Sequence, residues 1–302
     1  MAEKAGLMVL AAGMGSRYGG LKQMDGMGPG GEVVLDYSVF DALRAGFGRV
    51  VFVIRRDLEE AFRERIGKNW EGRAEVEYAF QELDDLPAGM VPGPGRAKPW
   101  GTAHAIWAGR KAMAGRPFAA INADDFYGAD SFRVLARHFL AGPKAGEHAM
   151  AAFKLGQTLS DNGTVSRGVC LRGPDGRLSG IRERFKVSRA ADGRVADASD
   201  PEPLTGGEPV SMNCWGFMPD FFDELGAGLE EFARKGGTDD PKAEFTIPGV
   251  VDAMIRGGRG SVAVLETASR WFGVTYRDDK AGVQAAIRGL VESGEYPAAL
   301  FG

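Results

Sequence analysis

The stretch VLAAGMGSRYGGLKQM, residues 9–24, decides how the chain is read. An apolar segment, GLMVLAA (6–12), runs without interruption into glycines and then into Arg17 and Lys22. This predicts a buried strand that opens at its carboxyl end into a glycine-rich loop. Ligands of open α/β sheets sit beyond the carboxyl ends of the strands, so such a loop faces a binding crevice. Counting excludes two common phosphate loops. The G-x-G-x-x-G pattern fails because Tyr18 stands where the third glycine after Gly13 and Gly15 belongs. The G-x-x-x-x-G-K-[ST] pattern fails because Leu21 precedes Lys22 and Gln23 follows it. What remains is L-A-A-G-x-G-x-R-x-x-x-x-K over residues 10–22. Gly13 and Gly15 free the backbone to bring N–H groups to phosphate oxygens. Arg17 offers a planar fork and Lys22 a compact point charge, a combination suited to a triphosphate. The competing reading is a plain bend with solvated charges.

Working outward, RVVFVI (49–54), AEVEYAF (74–80) and RPFAAINA (116–123) read as further buried parallel strands. Helical stretches separate them: DYSVFDALRAG (36–46), DLEEAFRERIG (57–67) and GTAHAIWAGRKAMAG (101–115), with DSFRVLARHFLAG (130–142) after the last. That alternation is the signature of an α/β sheet covered on both faces. The second half reads differently. HAMAAFKL (148–155), VSRGVCL (165–171), GRLSGIRERFKV (176–187), SMNCWGF (211–217) and SVAVLE (261–266) read as strands. Residues 219–236, 245–258 and 280–294 read as helices, and ASDPEPLTGGEP (198–209) as an excursion loop. No internal repeat is found. The expectation is one α/β domain over 1–302 with a single mixed sheet, residues 1–145 forming one half and 146–302 the other.

Composition narrows the function classes. The 302 residues carry a formal net charge of −4, so no global basic field recruits nucleic acid or an anionic membrane. Hydrophobic residues make up 44 % and charged residues 26 %, as in globular proteins. No apolar run approaches the ~20 residues of a membrane span. The two cysteines, Cys170 and Cys214, have no metal-type spacing and read as reduced core thiols of a cytoplasmic protein.

The loop at 10–22 resembles the signature of the sugar-phosphate nucleotidyltransferase family, which includes glucose-1-phosphate thymidylyltransferases and uridylyltransferases. The resemblance implies a GT-A-like, Rossmann-like mixed sheet. It implies that Leu10, Ala11, Ala12, Gly13 and Gly15 line a nucleotide, that Arg17 holds the outer phosphates, and that Lys22 holds the α-phosphate. Lys22-Gln23 is also similar to the cytidylyltransferases of isoprenoid synthesis, so the loop alone does not fix the substrate.

Two further segments belong with the loop. YAFQ ends at Gln81, whose amide donates and accepts and so matches a pyrimidine edge, although the residue type alone fits a solvent-facing glutamine equally well. In the family a glutamine here reads the base. PWGTAHA (99–105) is similar to the family's G-T-A-x-A segment, which makes Gly101 and Thr102 nucleotide-binding candidates. His104 reads as an ordinary helix residue in preference to a catalytic one. The proline-rich ELDDLPAGMVPGPGRAKPW (82–100) is long for a connection and reads as a lid over the nucleotide. AAINADDFYG places Asp124 and Asp125 at a strand end, where carboxylates suit Mg²⁺, a hard ion that keeps waters. The family has N-G-D there, so Asp124 is the expected metal ligand and Asp125 is left to cap the following loop.

The resemblance loosens in the second half. SRGVC implies a sugar contact at Gly168, and GIRERF one at Glu183 with Arg184 on the sugar phosphate in place of the family's lysine. SMNCWGF offers Asn213, and the segment at 243–249 offers Glu244. Trp271-Phe272-Gly273 departs from the family's W-x-D, with glycine where the second metal-binding aspartate stands. Asp278 or Asp279 is the candidate replacement, with phosphate oxygens and water as the other way to complete the site. The expected reaction joins an NTP, UTP or dTTP on the evidence of Gln81, to a sugar 1-phosphate with Mg²⁺. Alternatives are transfer to phosphocholine or an isoprenoid precursor, and a non-catalytic nucleotide-sugar sensor, which Gly273 favours.

Overall fold

The computed structural model describes residues 4–13, 24–160, 163–190, 192–273 and 279–301. Its strands are β1 Gly6–Leu10, β2 Arg49–Ile54, β3 Glu75–Phe80, β4 Phe118–Asn122, β5 Asp125–Phe126 and β6 Glu147–Lys154. They continue as β7 Val165–Arg172, β8 Leu178–Arg189, β9 Val195–Asp197, β10 Pro209–Phe217, β11 Ser261–Glu266 and β12 Phe272–Gly273. The helices are α1 Val34–Arg44, α2 Glu59–Phe62, α3 Lys68–Trp70, α4 Thr102–Ala108, α5 Arg110–Met113, α6 Ala129–Leu140, α7 Phe221–Arg234, α8 Ile247–Arg256 and α9 Asp279–Glu292. One ten-stranded sheet runs through both halves in the order β3-β2-β1-β4-β10-β7-β8-β9, with β6 joined to β10 and β11 to β6.

The first four strands of this order are parallel. β10 enters antiparallel and shifts register between Ser211 and Trp215. Before the shift it lies between β6 and β7; after it, between β6 and β4. The bulge lets one strand serve both halves of the sheet.

Period-2 alternation divides the core between the two faces. Leu7, Val9, Val50, Phe52, Ile54 and Ile121 pack on one side with α1 and α6 residues. Met8, Val51, Val53, Phe118 and Ala120 pack on the other with residues of α4, α7 and α8. A third cluster joins Val283 and Ile287 of α9, with Tyr296 and Leu300, to Val34 and Tyr37 of α1.

Some sequence expectations change. β3 is an edge strand with Glu75 and Glu77 exposed, not a buried one. The helix expected over 57–67 opens with a 3₁₀ turn at Arg56–Leu58 and continues as α2 and a π-helical turn at Arg63–Gly67, with α3 following it. The helix expected over 101–115 is interrupted at Gly109, where an added Cβ would stand 2.4 Å from the Met8 side chain. The glycine permits close approach of helix to sheet, at the cost of helix propensity. Both cysteines are buried and free, and burial pushes the Cys170 thiol up to about 12. Among the described residues no helix is long and apolar enough to cross a membrane.

Candidate active site

Register sets the site. Leu10 of β1 pairs with Val53 of β2 and Asn122 of β4, so three parallel strands end level. Backbone hydrogen bonds extend the ladder one step further: Ala11 N–H to Val53 O at 2.8 Å, Ala123 N–H to Leu10 O at 3.1 Å, and Gln81 N–H to Ile54 O at 2.9 Å. The start of the glycine loop, Gln81 and the Asp124-Asp125 pair therefore share one edge of the sheet. Ala11 and Ala12 are buried and Gly13 is exposed. A Cβ at Gly13 would meet no described atom within 4 Å, so that backbone is open to approach. Gly15, Arg17 and Lys22 lie outside the described residues.

Gln81 is buried and closely held. Its Nε2 donates to Gly101 O at 2.9 Å and lies 3.3 Å from His104 Nδ1. Gly101 has φ +111°, and a Cβ there would stand 2.6 Å from Phe245 O, so glycine is required twice over. Ala103 N–H donates to Phe245 O at 3.1 Å, and Thr102 Oγ1 accepts from Ile247 N–H at 3.1 Å. Thr102 thus caps the start of α8. Residue 104, read from sequence as an ordinary helix position, is fully buried, and its Nε2 lies 2.8 Å from Asp85 O.

Residues 82–100 are fastened in place and are not a free lid. Arg96 donates to the carbonyls of Lys98, Pro99, Asp240 and Ala243, and its guanidinium lies over the Trp100 ring. Gly93 N–H donates to Thr238 O at 2.9 Å. These five hydrogen bonds, with those of Trp100 Nε1 to Leu83 O and of Phe245 N–H to Trp100 O, tie the loop to itself and to the α7–α8 connection.

Asp124 occupies the turn after β4 and is half-buried. Asp125 accepts from Asn122 Nδ2 at 2.9 Å, and Tyr127 shares its hydroxyl proton between Asp125 at 3.2 Å and Met212 O at 2.9 Å. Burial, with the Asp125 charge beside it, pushes the Tyr127 hydroxyl well above its usual range, so it stays a donor. The short β5–β12 ladder, which the sequence reading did not include, sets Gly273 opposite Asp125. A Cβ at Gly273 would stand 2.4 Å from Asp125 Oδ1. The Asp125 carboxylate therefore fills the space that a side chain at 273 would take.

This donor set fits a hard divalent ion. Mg²⁺ is usually held by one or two carboxylates together with substrate phosphates and waters, and two adjacent carboxylates stand at the strand end. Among the described residues no group of three or more acidic, His or Cys side chains forms a metal site, so Asp279 is not brought into one with Asp124 and Asp125. Asp279 starts α9, accepts from Ser160 at 3.3 Å and lines a cleft of about 910 Å³ with Arg167, Trp271 and Gly273. Asp278 lies outside the described residues.

Arg167 escaped the sequence reading. It is buried, donates to Thr158 O at 3.1 Å and Oγ1 at 3.0 Å, and lies 5.0 Å from the Trp271 ring. Burial lowers its pKa to about 10, against the pull of Asp125. The available signal was an arginine sharing a strand face with Val165 and Val169.

The second-half candidates divide. Gly168 pairs with Glu183 across β7 and β8, and the Glu183 carboxylate would be 3.1 Å from a Cβ at 168. Those two residues are brought together. Asn213 sits in the β10 bulge with φ +58° and accepts from Trp215 Nε1 at 3.2 Å. Glu244 forms an ion pair with Lys98. Arg184, expected on the sugar phosphate, is corrected. Its side chain is 2 % exposed and reaches Asp197 at 3.0 Å, Asp200 at 3.0 Å and Glu202 at 3.1 Å. Three carboxylates offset its charge and, with the Glu202 carbonyl, engage its Nε, Nη1 and Nη2, so this guanidinium is committed within the protein and not to a phosphate.

Sequence and structure comparisons bear on the family and the fold. The family model described as nucleotidyl transferase matches residues 7–235. No curated protein matches the chain in sequence. The chain is similar in structure to a protein described as a glucose-1-phosphate thymidylyltransferase from Bacillus anthracis in complex with sucrose. The TM-score is 0.64 at 14 % identity, covering 94 % of this chain and 96 % of that one. It is also similar to a UDP-glucose pyrophosphorylase complexed with UDP-glucose, with a TM-score of 0.60 at 14 % identity over 95 % of this chain and 99 % of that one. At this identity the two structures speak for the fold.

Proposed function

Since the chain belongs to the nucleotidyl transferase family, we propose that it joins UTP or dTTP to a sugar 1-phosphate, releasing pyrophosphate. The observation that carries this reading is the level ending of the parallel strands. It sets the start of the glycine loop at Ala11–Gly13, Gln81 with Gly101 beside it, and the Asp124-Asp125 pair along one edge of the sheet, which supports the reading. A sugar phosphate oxygen is already anionic and attacks the α-phosphorus directly, so no general base is needed. What the protein must supply is positioning of two anions and neutralisation of their charge.

Arg17 would hold the outer phosphates and Lys22 the α-phosphate. Gly13 leaves the backbone open toward the triphosphate, and Gln81 would meet the base. Gly168 and Glu183 would meet a sugar hydroxyl. Asp124, with Asp125 beside it, would hold Mg²⁺, which when bound supplies charge neutralisation between the two anionic substrates. The sensor alternative rested on the missing carboxylate at Gly273. Asp125, whose Oδ1 lies 2.4 Å from where a Cβ at 273 would stand, supports the catalytic reading over it.

The test is pyrophosphate release from UTP or dTTP across a panel of sugar 1-phosphates with Mg²⁺, for the wild type and for Lys22→Ala. A turnover loss of about 10²–10³-fold in the variant is expected, as when one transition-state donor is removed. No release by the wild type on any pairing, or near-wild-type kcat for Lys22→Ala, would refute the reading.

A further inference from the structure

The side chain of Gln81 is held in one sense only. His104 Nε2 lies 2.8 Å from a carbonyl oxygen, Asp85 O, so Nε2 carries the proton and donates. In the neutral ring Nδ1 is then an acceptor. The Gln81 atom 3.3 Å from Nδ1 must therefore be the amide nitrogen. The same atom lies 2.9 Å from Gly101 O, a second acceptor, and that contact independently demands the same assignment. Both amide protons are thereby committed. Oε1 accepts no hydrogen bond from any described residue and is the part of the amide left for a ligand.

The imidazole is in turn anchored. Arg110 grips the Asp85 carboxylate with two hydrogen bonds, of 2.8 and 2.9 Å, and lies over the Trp107 ring. This holds the Asp85 backbone at His104. Burial lowers the His104 pKa, reinforced by the charges of Arg110 and Arg96 and opposed by Asp85, so the ring stays neutral. Arg110, Asp85, His104 and Gln81 form a chain that ends on the Gln81 Oε1.

We propose that His104 is a positioning residue that fixes Gln81 as an acceptor only, and that this selects uracil or thymine over cytosine. N3 of uracil and thymine carries a proton and donates to Oε1. N3 of cytosine is an acceptor and would face it with no hydrogen between them. Reversing the amide to suit cytosine would set Oε1 against both Gly101 O and Nδ1. This inference rests on the proposed nucleotidyl transfer and assigns the residue that enforces its choice of base.

The test is calorimetric binding of UTP, dTTP and CTP to the full chain, for wild type, His104→Leu and His104→Asn. Wild type is expected to prefer UTP over CTP by roughly 10- to 100-fold, the cost of one mispaired buried group. His104→Leu should reduce the ratio about two- to tenfold without reversing it, since the Gly101 O contact still favours the same amide sense. His104→Asn, with an amide oxygen near the Nδ1 position, should restore most of it. Imidazole ¹⁵N spectra of the wild type should show Nε2 protonated and Nδ1 bare. A Nδ1-protonated ring, a preference for CTP or a purine, or an unchanged ratio in a folded His104→Leu would overturn the proposal. If His104→Leu does not fold, a ratio lost in His104→Asn overturns it. A wild type that binds no nucleotide would instead sink the nucleotidyl-transfer reading itself, and this inference with it.

Discussion

The pairing of Asp125 with Gly273 gives a double-mutant cycle its footing. In Gly273→Asp the new Cβ meets Asp125 Oδ1 at 2.4 Å, well inside contact distance. The strain is relieved only if the β5–β12 ladder opens, or if Asp125 turns away from Asn122 and Tyr127 and the Trp271 ring, 2.8 Å from the new Cβ, also shifts. Losing a hydrogen bond to a charged group costs about 1.5–3 kcal/mol. Two carboxylates ~4 Å apart at an effective dielectric of 20 add up to ~4 kcal/mol, which water moderates. The single variant should lose about 4 kcal/mol overall. Asp125→Ala leaves the Asn122 amide unpartnered and should lose roughly 2 kcal/mol. In the double variant the new carboxylate occupies vacated space and regains the Asn122 donor. Its loss should be about 3 kcal/mol, not the sum of about 6, a coupling at the upper end of what contacting residues show. Urea unfolding of the four proteins measures this directly, since a midpoint shift at constant slope is a change in stability. Additivity within ~0.5 kcal/mol would refute the claim that the two positions compete for one space.

Arg184→Met should lower stability by about 3–5 kcal/mol in urea unfolding, because Asp197, Asp200 and Glu202 lose their shared cation. The KM for the sugar 1-phosphate should stay within about twofold in the folded variant; unchanged stability with a tenfold higher KM would return Arg184 to the phosphate. Burial raises Asp36 to about 6 and Asp41 to about 7, against their hydrogen bonds from the Val33 N–H and Trp70, and from Tyr296 and Arg44, respectively. The folded state then binds more protons than the unfolded chain between about pH 4 and pH 7, so stability should fall as pH rises through that window and level off above it. Asp41→Asn should flatten that decline, and an unchanged slope in urea midpoints between pH 5 and pH 8 would contradict it.

Much of the fold was legible because it rests on local pattern. Each segment read as a strand, from GLMVLAA to SVAVLE, contains one, since apolar runs and period-2 alternation are properties of the chain itself. The NADD segment sits at a strand end for the same reason, and register then set Leu10 beside Asn122. Arg184 was misread because Asp197, Asp200 and Glu202 reach it only when the chain after β8 folds back. His104 passed for a helix residue because its meaning lies in two partners, Gln81 and Asp85, more than fifteen positions away. The apparent loss at Gly273 is the plainest example. A one-dimensional pattern shows a glycine where a carboxylate is expected, while the antiparallel pairing of two short strands sets the Asp125 carboxylate against that glycine. The sequence by itself determined the strands, the glycine loop and the chemical types at the crevice, because those are set by neighbours along the chain. Only the tertiary structure decided which charge is spent, which amide proton is committed and which carboxylate fills which space, because those depend on atoms that meet only after folding.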